Sequence, residues 1–165
     1  MNTGRAMRAS RLVLVAVVAL FFTLIAIGNL TDYGSNFAFV QHVLSMDTTF
    51  RSPALMWRAI TATPLHHAAY LSIIAWQILT AALCWLGALR LWRARGSAGA
   101  FQAAKGTAII GLTAGALLYA AGFIVIGGEW FAMWQSQTWN GQNTAHIFLM
   151  MIGLALLHLC GAERD

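Results

Sequence analysis

The chain has 165 residues, 59% of them hydrophobic and only 9% charged, with a mean hydropathy of +0.68. Those proportions exclude a water-soluble globular domain and describe a chain solvated mainly by lipid. The formal charge of +5 does not indicate a nucleic-acid partner, because the basic residues lie in short pieces beside apolar runs and form no patch on a domain.

The first apolar run, 12–30, holds no charge and reaches roughly 28 Å as a helix, enough to cross a bilayer. Arg5, Arg8 and Arg11 precede it. A basic start followed by an apolar run also suits a cleaved signal peptide, with Ala26-Ile27-Gly28 as the cleavage site, but this run is longer than a usual signal core, and a retained span is predicted.

The connection 31–62 is the most individual part of the chain. Helical spacing over 36–46 puts Phe37, Phe39, Val40, Val43, Leu44 and Met46 on one broad arc and Ala38, Gln41, His42 and Ser45 on the other, predicting an amphipathic helix lying on the membrane or on the bundle. Ser52-Pro53 reads as a cap with a first-turn proline, predicting a second short helix through Thr61. Thr63-Pro64 repeats the signal and opens the second span, 63–89.

Arg90, Arg93, Arg95 and Lys105 fill the next connection; the third span is 107–127 and the fourth 144–161, followed by Arg164. Four crossings follow, all helical, because an open strand edge cannot satisfy its backbone in lipid. The expected fold is all-α: one integral membrane domain over 1–165, a polytopic four-helix bundle with short amphipathic helices in its first outer loop. Arg51 and Arg58 are the only basic residues in 31–62 and 128–143, against eight on the other side, so both termini and the 90–106 loop are expected in the cytoplasm.

The second outer connection carries Glu129, Trp130, Phe131, Trp134 and Trp139 and closes on an Asn140-Gly141 turn. With Trp57 these indoles read as an aromatic belt at the headgroups, in preference to a ligand box, and Trp85 and Trp92 as its inner counterpart. Cys84 and Cys160 fall toward the cytoplasmic ends of their spans, in no Cys-x-x-Cys pattern, and read as ordinary thiols. Gly111, Gly115 and Gly122 follow one face of the third span and permit close approach by a neighbouring helix, inside the bundle or in another protein.

On the second span His66, Tyr70, Gln77 and Cys84 lie nearly in line and are expected to face protein. His146 lies about as deep on the fourth span, so the two imidazoles are placed to meet near the outer surface. A faint parallel duplication agrees, since Ile25-Ala26-Ile27-Gly28 and Ile124-Val125-Ile126-Gly127 each end a span before a loop leading to a histidine-bearing helix. Paired histidines suit haem b, or a quinone or metal site joined by Asp32, His42, Asp47 or Glu129; the competing reading satisfies both rings by ordinary interfacial hydrogen bonds. His158 lies about 120° round the helix from His146, which disfavours a two-haem wire. No carboxylate lies mid-membrane, which counts against a proton-coupled carrier, although Tyr70, Gln77 and Thr80 remain candidate contacts for a small transporter or channel.

The run Asn-Leu-Thr-Asp-Tyr-Gly-Ser-Asn-Phe-Ala-Phe-Val-Gln-His-Val-Leu-Ser-Met-Asp-Thr-Thr-Phe at 29–50, with Trp57-Arg58-Ala59-Ile60-Thr61 and all four spans, resembles a bacterial family of predicted small integral membrane proteins. The resemblance implies a bacterial inner-membrane location and four helices, and supplies no catalytic residue. Members of that family often carry an acidic residue in the second span where this chain has Gln77, which weakens proton coupling further. Three functions follow as expectations. The first is an accessory subunit, not an enzyme, docking a larger membrane complex through the outer segment 29–50, with Asp32, Tyr33, Phe37, Phe39, His42 and Asp47 as partner contacts. The second is a redox protein holding haem b or quinone at His66, His146 and Tyr70. The third is a transporter or channel.

Overall fold

The computed structural model describes residues 3–163, so Arg164, counted above among the basic residues, lies outside the described residues. Among those described there is no strand. Helix α1 spans Thr3–Thr31, α2 Tyr33–Ser45, α3 Thr63–Ala94, α4 Ala98–Ala104, α5 Gly106–Leu117 and α6 Gln142–Cys160, and a π-helical stretch Leu118–Trp130 continues α5 without a break. Thr3–Thr31, Thr63–Ala94, Gly106–Trp130 and Gln142–Cys160 are long and apolar enough to cross a membrane. The predicted all-α polytopic fold is therefore present. Helical hydrogen bonding runs past the apolar segments, taking Arg5, Arg8 and Arg11 into α1 and Arg90 and Arg93 into α3.

In the bundle α1 packs on α3, α3 on α5, and α6 on α5 with its π-helical continuation. Val15, Ala19 and Phe22 meet Cys84, Ala88 and Leu91 of α3, Ala108 and Leu112 of α5, and Ile152 and Leu159 of α6 in one buried core. Small residues set the spacing of the two central helices. A Cβ added at Gly87 would lie 2.6 Å from Ala108 Cα, and one at Gly111 would lie 2.8 Å from Cys84 Sγ. At Gly115 it would lie 2.7 Å from the Phe22 ring. The predicted close approach at Gly111 and Gly115 is thus made inside the bundle. Gly122 meets only Leu118 of its own helix, at 3.7 Å, and takes no part in it.

Helix α2 begins at Tyr33, one residue after α1, and ends on Met46 in the left-handed conformation (φ 53°). Val40, Val43 and Met46 are buried and Phe37, Phe39 and Leu44 partly so, which turns the predicted apolar arc onto the bundle, chiefly onto α3. The second predicted outer helix is reduced to a single 3-10 turn, Met56–Arg58. Tertiary pairing overrides local propensity there. The Ile60 N–H donates to the Leu44 carbonyl (2.8 Å) and holds the chain extended after Ala59, until α3 opens with Pro64 in its first turn.

The two ends of the bundle differ. The basic end carries α4, capped by Ser97 Oγ on the Ala100 N–H (3.4 Å), and a buried ion cluster. Arg11 and Lys105 both pair with the Glu163 carboxylate, Arg11 Nε donates to the His158 carbonyl (2.9 Å), and Lys105 Nζ donates to the Gly161 carbonyl (2.6 Å). Arg95 lies 3.8 Å over the Trp92 ring, and the Trp85 indole N–H reaches Thr23 Oγ1 (3.1 Å) within the first apolar run. The other, capped end is covered by α2 and the loops 46–62 and 131–141. Its rim is aromatic, with the Arg58 guanidinium 4.8 Å over Trp130 and 5.5 Å over Trp57.

Candidate ligand-binding cavity

Beneath α2, in the capped half of the bundle, the helices part around a cavity of about 620 Å³. Each span contributes to it: Phe21, Ile25, Gly28 and Asn29 from α1, Tyr70, Ile73 and Gln77 from α3, Tyr119 and Phe123 from the π-helical stretch, and Thr144, Ala145 and Phe148 from α6. Asp32, Asn36, Phe39 and Val40 roof it. Gly28, Thr31, Asp32, Asn36 and Thr144 are exposed and form its mouth. A bundle core lined in this way is where helical proteins commonly place ligands.

The wall is aromatic. Phe21 and Phe148 stand edge to face at 4.8 Å, and Tyr119 lies 5.2 Å from Phe148 and 5.5 Å from Phe123. A smaller apolar cavity of about 200 Å³ adjoins it, sharing Phe39, Val40, Ile73 and Phe123 and reaching Leu118, Gly122 and Gly127. The π-helical winding serves both spaces. Its i→i−5 bonding, seen where the Phe131 N–H reaches the Ile126 carbonyl (3.0 Å), widens each turn and re-aims side chains, as such stretches often do at functional sites.

Polar groups are few and only partly engaged. Asn29 Nδ2 donates to Gln77 Oε1 (2.8 Å), and the Tyr70 hydroxyl donates to the Asn29 carbonyl (3.2 Å). Whichever way the two amides are turned, one amide NH2 group and one amide oxygen of the pair are left without a partner among the described residues. The Tyr119 hydroxyl, on a residue only 4% exposed, has none either among the described residues. The Asp32 side chain does not cap α2 and makes no hydrogen bond or ion pair among the described residues.

Of the candidate residues read from sequence, Tyr70, Gln77, Asp32 and Phe39 come together around the cavity. His66, Tyr70, Gln77 and Cys84 are all buried, as their alignment predicted. His66 and His146 are not brought together. His66 Nε2 donates to the Ile60 carbonyl (2.7 Å), leaving Nδ1 buried without a partner among the described residues, whereas His146 is exposed with Nδ1 on the Gln142 carbonyl (2.7 Å). His67, which the alignment passed over, stacks at 4.1 Å on Phe37 and bonds the Tyr33 hydroxyl (2.8 Å). His42 bonds Asp47 (2.7 Å) and stacks at 4.6 Å on Trp139, so both fasten the cap. Among the described residues no three His, Cys, Asp or Glu side chains gather to hold a metal ion. Sequence reasoning missed Tyr119, Phe123 and Phe148; the signal for the first two was their four-residue spacing on one helix face, and Phe148 carried none.

A family model described as a predicted small integral membrane protein (DUF2165) matches residues 7–161. Comparison with the curated proteins and with the solved structures returns no match.

Proposed function

Since the chain belongs to that family of predicted small integral membrane proteins, we propose that it is a multi-pass membrane protein that binds a small amphipathic molecule in the cavity beneath α2. The observation that carries this reading is the combination in one space of about 620 Å³ of an aromatic wall, a polar mouth, and the unpartnered hydrogen-bonding groups of Tyr119 and the Asn29–Gln77 pair. Unpartnered polar groups in an apolar wall cost stability, and a ligand's polar head relieves that cost. The adjoining apolar cavity suits a tail.

A second reading, an accessory subunit acting through 29–50 and its surroundings, is favoured by Phe50 and Trp57, each 69% exposed on the capped rim. One preparation separates the two. Protein drawn from native membranes in mild detergent and analysed by mass spectrometry is expected to carry a stoichiometric small molecule. Gly28→Leu is expected to lose it, because Gly28 lines the cavity at its mouth, a Cβ there meets no atom within 4 Å, and the new side chain narrows the entrance. A stoichiometric companion protein, with no small molecule and no effect of Gly28→Leu, would support the accessory reading instead.

The capped end faces outward and the basic end faces the cytoplasm of a bacterial inner membrane, the orientation the eight-to-two distribution of basic residues favours. In a Cys160→Ala background, Ser35→Cys is expected to react with a membrane-impermeant maleimide in intact cells, and Ala100→Cys only after permeabilisation; both positions are exposed. The opposite pattern would invert the topology.

A further inference from the structure

We infer that the molecule this cavity takes is a lipophilic organic cation, an alkylated or charge-delocalised ammonium-type group on an apolar body. The inference rests on the ligand-binding reading of the same cavity and adds the sign of the ligand's charge.

Three features converge on it. No Lys, Arg or His lines the cavity, and its one carboxylate, Asp32, stands at the mouth without a hydrogen bond or ion pair among the described residues. The described lining carries no cationic side chain to attract an anion, while Asp32 attracts a cation arriving from the capped end. Behind Asp32 the surface is ring upon ring, with Phe39, Tyr70, Tyr119, Phe123 and Phe148 in the lining, and aromatic faces carry the negative lobe of their quadrupole toward a cation. Deeper still, the free acceptor of the Asn29–Gln77 pair and the oxygen of the unpartnered Tyr119 hydroxyl present further partial negative charge.

The same features suit a metal ion poorly. A compact, strongly hydrated cation needs several clustered charged or carbonyl oxygens to replace its water, whereas the lining holds one carboxylate and no three His, Cys, Asp or Glu side chains gather among the described residues. A large cation of low charge density loses little hydration on entering and gains from the apolar wall. The volume of about 620 Å³ lies in the range of cavities that enclose drug-sized molecules.

Tetraphenylphosphonium and tetraphenylborate, alike in shape and opposite in charge, test this directly by equilibrium dialysis against the purified protein in neutral detergent. The phosphonium is expected to bind at least tenfold more tightly than the borate. Asp32→Asn is expected to weaken it about fivefold, and Gly28→Leu to abolish it. Asp32 makes no side-chain bond that folding would lose, so the charge variant reports on the ligand. Equal binding of both ions, or no effect of Asp32→Asn, overturns the cationic assignment, and the cavity reading stands if Gly28→Leu still blocks the probe. Phosphonium binding indifferent to both substitutions, or no binding of either ion, overturns the assignment as well. In those cases the small molecule retained from native membranes and its loss in Gly28→Leu decide the cavity reading separately.

Discussion

Gly87→Val is expected to destabilise the folded protein by about 3 kcal/mol, the upper part of the range for overpacking a well-filled interior. The three nearest atoms to an added Cβ are Ala108 Cα, Cβ and N, at 2.6 to 2.7 Å, so no flexible side-chain tip can swing aside. Relief requires α3 and α5 to separate, and the separation propagates to Gly111, where Cys84 Sγ and the Cys84 nitrogen lie 2.8 and 2.9 Å from the corresponding position. Gly153→Val on α6 is the control, since an added Cβ there meets nothing within 4 Å. Thermal unfolding in detergent, followed by circular dichroism, measures both. Equal stability of the two variants would show that the central helices do not approach at Gly87.

Glu163→Gln is expected to cost about 3 kcal/mol, because it strands two buried cations. Arg11 and Lys105 are 5% and 2% exposed, and Glu163 is the carboxylate both of them reach. Removing one member of a buried ionic group leaves its partners desolvated and uncompensated, a larger loss than the group's net contribution. Lys105→Met in the same chain is therefore expected to restore part of the stability, leaving Arg11 with its bond to the His158 carbonyl. A double-mutant cycle read by unfolding in denaturant would show this as strong coupling; additive losses would mean that Glu163 does not bridge the two cations.

The spans were legible because length and hydropathy report the solvent directly, and the alignment of His66, Tyr70, Gln77 and Cys84 correctly named the buried face of α3. The arc of α2 was legible for the same reason, and its contact with α3 confirms it. Features that depend on distant partners were not. Nothing near Met56 shows that the Ile60 N–H will be taken by Leu44, which is why a predicted helix became one turn. Nothing in the residues around Glu163 shows that Arg11 and Lys105 will be placed beside it. The expected meeting of His66 and His146 assumed that similar depth brings helices into register with one another, whereas α6 packs on α5 and turns His146 outward. Part of the cavity came from the same gap: Tyr70 was identified, but Tyr119 and Phe123 belong to a stretch whose π-helical winding has no signature in the local residues.

Wound throughout as an α-helix, Gly106–Trp130 would reach about 37 Å, against about 28 Å for Gln142–Cys160 beside it. A wider turn holds more residues per unit of length, so the π-helical stretch brings the third crossing back toward the reach of its shorter neighbour. Both then match a hydrocarbon layer of ordinary or slightly thin dimension. In a thicker bilayer the lipid would have to compress around α6 or the bundle sink toward one surface.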